Sequence, residues 1–216
     1  LLRLADIFRK KGDIQSAKVN LEKAIKISPR NASLYPKYIK VLIDVYEFEE
    51  AKKNLEVYKG LDPPLATFDQ LQGDLNFKQD KIKAAMGWYK RALSASNIEV
   101  YISYASAMLK VNSFPDAAFY FGLALRLDPL NVEATIGLAR ALAEISGVEK
   151  GIEHIRSAME RSPYKAALYT GLAEVSMRKS DFASALKYTE EAVLVEPTYA
   201  AAYKVKAETY YAMDKT

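Results

Sequence analysis

The chain has one histidine, His154, and no cysteine, and this limits its chemistry before any fold is considered. One imidazole without a thiol gives no histidine pair, no cysteine–zinc cluster and no cysteine–histidine nucleophile. Disulfides are excluded as well. No glycine-rich phosphate loop is present, and the acidic neighbours Glu49-Glu50 and Glu190-Glu191 fit solvated helix faces. The sequence therefore predicts no catalytic residue, no metal ligand and no cofactor. What remains is the chemistry of recognition: lysines, arginines and apolar side chains recurring at helical spacing.

Composition agrees with a helical, well-packed chain. Half of the 216 residues are hydrophobic, while 9 Gly and 8 Pro are too few for disorder or a turn-rich β fold. Net charge is +4, from 31 Lys and Arg against 27 Asp and Glu. No four basic residues are consecutive, so the charge is interspersed and a nucleic-acid surface is disfavoured. No apolar stretch reaches the roughly 18–20 residues that span a bilayer. The chain does not open with Met and starts directly in a helical pattern, LLRLADIF, which we take as a piece of a longer protein.

The elements that must carry these side chains repeat. Pro29 and Pro63 are 34 positions apart, as are Pro129, Pro163 and Pro197. Twelve residues before each of these prolines, and before Asn97 in the third unit, stand Ala17, Ala51, Ala85, Ala117, Gly151 and Ala185, and four residues on come Leu21, Leu55, Tyr89, Phe121, Ile155 and Thr189. Ahead of the small residue stand Ile14, Phe48, Ile82, Phe114, Val148 and Phe182. Small residues let two helices approach, and the larger ones fill the space beside them. Gly12-Asp13, Asn112-Ser113, Gly147 and Ser180-Asp181 suit the turn inside each pair, one residue ending a helix left-handed and the next capping its successor. The proline then stops the second helix. Asn97 stands at the proline place of the third unit, with two residues deleted before Tyr101, so an altered packing angle is expected there, a simple tighter turn and a hinge being the two alternatives.

This pattern resembles the tetratricopeptide repeat, a 34-residue helix–turn–helix unit. The resemblance implies an all-α, right-handed superhelical solenoid of antiparallel helix pairs, about 13 helices in one array. Its units run approximately 1–31, 32–65, 66–98, 99–131, 132–165 and 166–199, with 200–216 the first helix of a seventh. The family's early aromatic recurs as Tyr35, Tyr101, Tyr169 and Tyr203, with Asp69 in its place in the third unit. Ile39 takes a small-residue place and Gly151 an alanine place. His154 aligns with Trp88, Tyr120 and Tyr188, where the family packs aromatics between repeats.

In such proteins the first helices of successive units line a groove. The partner-binding residues so implied are Lys40, Ile43, Phe77, Lys78, Leu109, Lys110, Arg140, Met177, Arg178 and Tyr211. Ile43, Phe77, Leu109, Met177 and Tyr211 form an apolar ladder, with Ile102 and Ile136 nearby, that suits spaced hydrophobic anchors of a peptide. Opposite charges recur at i,i+4 as Asp6/Lys10, Lys40/Asp44, Asp74/Lys78, Arg140/Glu144 and Glu174/Arg178. Such pairs are expected to satisfy one another, at about 0.2–0.5 kcal/mol each, and to deny the groove a single-sign field. A basic clamp that some members use for acidic C-terminal tails is absent, its places holding Leu2, Asp6, Lys37, Lys40, Thr67 and Leu71.

The function that follows is a non-catalytic protein–protein interaction scaffold holding a partner's peptide segment in the groove. Two alternatives stand beside it: the accessory repeat region of a larger enzyme, such as a glycosyltransferase, and an RNA-binding helical repeat. The partner expected is a protein or peptide, with no membrane insertion and with self-association through the open last helix as a further possibility. A soluble protein is expected, the cytoplasm being favoured.

Overall fold

The computed structural model describes residues 2–10 and 12–214, as 13 α-helices and two short 3-10 turns, with no strand among the described residues. The chain divides into two compact units, Leu1–Ala107 and Met108–Thr216. The first holds α1 (Leu2–Lys10), α2 (Ile14–Ile27), α3 (Tyr35–Asp44), α4 (Phe48–Lys59), α5 (Leu65–Lys78) and α6 (Ile82–Ala92). Helix α7 (Ile98–Lys110) contains the division. The second unit continues with α8 (Phe114–Leu127), α9 (Val132–Ser146), α10 (Val148–Arg161), α11 (Lys165–Met177), α12 (Phe182–Val195) and α13 (Ala200–Met213). Consecutive helices pair across short turns, so the fold is all-α, as the repeat implies.

The landmarks read from sequence are the centres of packing. Ala17, Ala51, Ala85, Ala117 and Ala185 are all fully buried, and Leu21, Leu55, Tyr89, Phe121, Ile155 and Thr189 are at most 2 % exposed. Burying a side chain the size of Phe121 contributes roughly 1.5–3 kcal/mol. Helices come closest at glycines: the Tyr89 ring occupies the place a Cβ would take on Gly73, and the Phe121 ring does the same at Gly137. Ile39, the departure from a small residue, is fully buried and joins the first unit's core with Leu42 and Leu71.

Turn chemistry follows the sequence. Gly12, Asn112, Gly147 and Ser180 all have positive φ, as do Tyr46 and Asp80 at the matching turns. Asp13 and Asp181 then accept the amide hydrogens of Ser16 and Ser184, and Asn131 caps α9 through Ala134 N. Helices α2, α8, α10 and α12 stop two residues before Pro29, Pro129, Pro163 and Pro197. At the proline-free joint, α6 gives way to a 3-10 turn at Leu93–Ala95, Ser96 is left-handed, and Asn97 accepts from Glu99 N at 2.8 Å. The turn is closed by these local groups in place of the proline.

The missing aromatic at Asp69 has a local replacement. Its carboxylate is buried, and the Arg91 guanidinium lies 3.0 Å away. Arg91 also covers the Trp88 ring at 4.6 Å, and Trp88 packs edge-on to Phe68. An ion pair and a cation–π contact thus fill the space that a tyrosine fills in other units.

Candidate concave binding surface

In the second unit, α11 packs against both α9 and α13, so three first helices lie side by side. Arg140, Glu174 and Glu208 stand at matching places on them, each 34 positions from the next. Together with Met177 and Arg178 they line a recess of about 350 Å³. This brings three of the sequence-predicted residues, Arg140, Met177 and Arg178, into one site.

The recess is polar but only partly self-satisfied. Arg178 pairs with Glu144 on the neighbouring helix. Arg140 and Glu174 are half-buried, and neither makes a direct hydrogen bond or ion pair among the described residues. Burial lowers the Arg140 pKa, which the nearby Glu174 charge opposes. Burial likewise raises Glu174 above its ordinary value, with Arg140 opposing and Glu208 adding to the rise. Both charges are thus held where a ligand group would find them incompletely solvated and incompletely paired. Met177 supplies an apolar wall, and Tyr211 on α13 is 64 % exposed.

The first unit treats its predicted residues differently. Ile43 is 4 % exposed and belongs to the core, so its side chain is unavailable to a partner. Ile102 is buried as well, and Phe77 is half-buried. Lys40 reaches across to Glu99 on α7, which also accepts from Gln70 at 3.4 Å. Lys78 is exposed and lies 5.1 Å from the centre of the Tyr46 ring. Asp74 accepts from Tyr89 at 2.9 Å and Ser103 at 3.4 Å, and burial pushes its carboxyl up to about 6. At the start of the second unit Leu109 is half-buried and Lys110 exposed.

The expected i,i+4 charge pairs are a correction. The side chains of Arg9 and Lys10 lie outside the described ones, and none of the other four pairs closes directly among the described residues. Charges instead meet between stacked helices: Asp6 with Lys37 at 2.6 Å, Lys40 with Glu99, and Arg178 with Glu144. A neighbouring helix offers a partner without bending a long side chain along its own axis. Cations and anions are thus still interspersed on these helices. Among the described residues no cluster of three or more metal-ligating side chains forms, and no helix is long and apolar enough to cross a membrane.

Residues 1–31 match the family model of the tetratricopeptide repeat. No curated protein matches the chain. Among solved structures it is similar to YrrB, a TPR protein with an unusual peptide-binding site, at 21 % identity over 87 % of this chain and 97 % of that one, TM-score 0.53. It is similar to Pseudomonas aeruginosa pilF at 18 % identity over 96 % and 95 % of the two chains, TM-score 0.63. It also resembles yeast Tom70, at 18 % identity over 92 % of this chain but 43 % of that one, TM-score 0.65. The chain therefore carries a tetratricopeptide repeat over residues 1–31 and has, along the rest, the helical-pair fold of the tetratricopeptide-repeat proteins, an architecture typical of protein–protein interaction scaffolds.

Proposed function

We propose that the protein is a non-catalytic scaffold that holds a peptide segment of a partner on the concave side of its second unit. The observation that carries this reading is the recess on α9, α11 and α13, in which Arg140 and Glu174 are half-buried without direct partners. A peptide supplies what such a site needs. An acidic side chain or carbonyl would answer Arg140, a backbone N–H or basic side chain would answer Glu174, and an apolar residue would cover Met177. Arg178, already paired with Glu144, would set register at the edge. The mixture of two arginines and two glutamates disfavours a phosphate backbone, which would meet Glu174 and Glu208. The likeness to YrrB in fold supports the same class of ligand. Leu109, Lys110 and Tyr211 remain in this reading as secondary contacts within the second unit, while Lys40, Phe77 and Lys78 belong to the first unit and Ile43 to its core.

Panning a random peptide library tests the proposal, with an Arg140→Ala/Met177→Glu variant as the counter-target. Peptides that pair an acidic with an apolar residue, and that the variant retains at least tenfold less well, are the expected outcome. Equal retention by both proteins, with equal helical circular dichroism, would remove this face from consideration.

A further inference from the structure

A second site shares no lining residue with the recess on α9, α11 and α13. Leu125, Pro129, Thr135, His154, Ser157, Ala158 and Arg161 line a partly open recess of about 210 Å³ in the second unit. The repeat explains why it is there. Thr135 stands where other units have Tyr35 and Tyr203, whose hydroxyls donate to the carbonyls of Pro29 and Pro197 at 2.7 and 2.9 Å. His154 stands where three other units have Trp88, Tyr120 and Tyr188 and the first two have Asn20 and Asn54. Two places that several other units fill with a large aromatic are thus held by smaller side chains in one unit, on facing helices α9 and α10.

The polar groups around this space are also particular to the unit. Ten residues after the small landmark, the other units carry Ile27, Leu61, Ala95, Leu127 and Val195, whereas this one carries Arg161. His154, Ser157 and Arg161 lie at i, i+3 and i+7 of α10, on one face. The His154 Nε2 is buried without a hydrogen-bond partner in the protein. Arg161 has no ion pair or hydrogen bond among the described residues. Arg161 and the His154 ring both line a space whose apolar wall is Leu125, Pro129 and Ala158, with the imidazole Nε2 itself closed off from solvent.

We infer that this recess binds a small organic carboxylate, its flat apolar body against Leu125, Pro129 and Ala158 and its carboxylate on Arg161, beside the His154 ring. The volume is below the roughly 300–1,000 Å³ of pockets for drug-sized ligands, so the ligand is about the size of the missing phenol ring. Arg161 at the site selects an anion over a cation, and the apolar walls select an organic acid over a heavily hydrated inorganic one. Burial and Arg161 together hold the His154 imidazole below its usual range, and an anion bound beside it reverses that direction.

The one histidine makes the test direct, because the 216-residue chain gives a single set of imidazole proton signals. Benzoate is titrated against them by NMR, with benzyl alcohol as the uncharged probe of similar shape. Saturable movement of the His154 signals by benzoate is expected, with the imidazole pKa rising about one unit, which is a tenfold preference for the protonated form. Benzyl alcohol should bind at least tenfold more weakly. Thr135→Tyr, which restores the residue of the other units, should abolish the benzoate response. Arg161→Leu, which restores Leu127's type on an exposed position, should weaken it about tenfold and keeps the test valid if Thr135→Tyr unfolds. No saturable response to benzoate, an undiminished response in folded Thr135→Tyr or in Arg161→Leu, or equal affinity for benzyl alcohol would overturn the inference.

Discussion

Replacing Gly151 by alanine should destabilise the protein, although alanine is what every other unit carries at that place. In helix α10 the change gains about 1 kcal/mol of intrinsic helix propensity. Against this, a Cβ on Gly151 would lie 2.5 Å from the Ala139 carbonyl oxygen and 3.2 Å from both Ala143 Cβ and Val175 Cγ1. The nearest of these is backbone on α9 and has no rotamer to escape through, so α9 and α10 must separate. Overpacking of this kind costs typically about 1–3 kcal/mol, and here the upper part of that range applies because three groups on two helices are met. The net expectation is a loss of roughly 1–2 kcal/mol, or a few degrees in melting temperature for a chain of this length. Urea denaturation followed by circular dichroism measures it, and hydrogen exchange in α9–α11 assigns it, since repeat units need not unfold together. Gly87→Ala in α6 and Gly122→Ala in α8 are the controls, because nothing lies within 4 Å of either new Cβ. Both should gain up to about 1 kcal/mol. A Gly151→Ala protein as stabilised as these controls would refute the close-approach argument.

Asp74 gives a pH signature. Its carboxyl is raised from 3.8 to about 6 by burial, so the folded state binds the proton more tightly than the unfolded state. That stabilisation is present at low pH and is lost as pH rises through about 6. Acidifying from pH 7 to 5 should therefore add about 1 kcal/mol to the first unit, and Asp74→Asn should remove the dependence in a denaturation series. Arg91→Ala should cost about 2–3 kcal/mol by stranding the buried Asp69 carboxylate, somewhat less than for a wholly buried pair because Arg91 is 59 % exposed. Asp69→Asn in the same protein should recover part of that loss in thermal melts. Tyr35→Phe removes the hydrogen bond to the Pro29 carbonyl and should cost about 1 kcal/mol by urea titration.

Packing was the most legible part of this chain, because it depends on residue size at a fixed period. The alanine places and the large residues four positions on are buried where the repeat puts them. Turn positions were legible where residue type announces them, as Gly12 and Asn112 adopt the left-handed backbone their types suit. Tyr46 adopts it too, and nothing in its type announces that. The site was less legible because facing is decided to within part of a helical turn. Ile43 is one such case: the place assigned to it faces outward on an ideal helix, yet in the short α3 its side chain packs inward. Charge partners were misassigned for a related reason. Spacing along one helix suggests i,i+4 neighbours, whereas stacking brings Glu144 and Arg178, 34 positions apart, into direct contact. Opposite charges separated by one repeat were the available signal. The His154 cavity had a signal as well, in the coincidence of Thr135, His154 and Arg161 within one unit, but its consequence depends on how facing helices enclose the space.

The recess on α9, α11 and α13 can be tested most directly as a peptide site through methionine methyl groups, of which the chain has five. Met177 lines the recess, whereas Met159 lies on α10 and packs, partly buried, against the second unit's core without lining the recess. With methyl-labelled protein and a library-selected peptide, the Met177 signal should shift saturably, with a midpoint equal to the affinity measured by an independent method. The Met159 signal should stay in place, and Arg140→Ala should weaken the titration at least tenfold. A peptide that binds while leaving Met177 unmoved would contradict the assignment of this face.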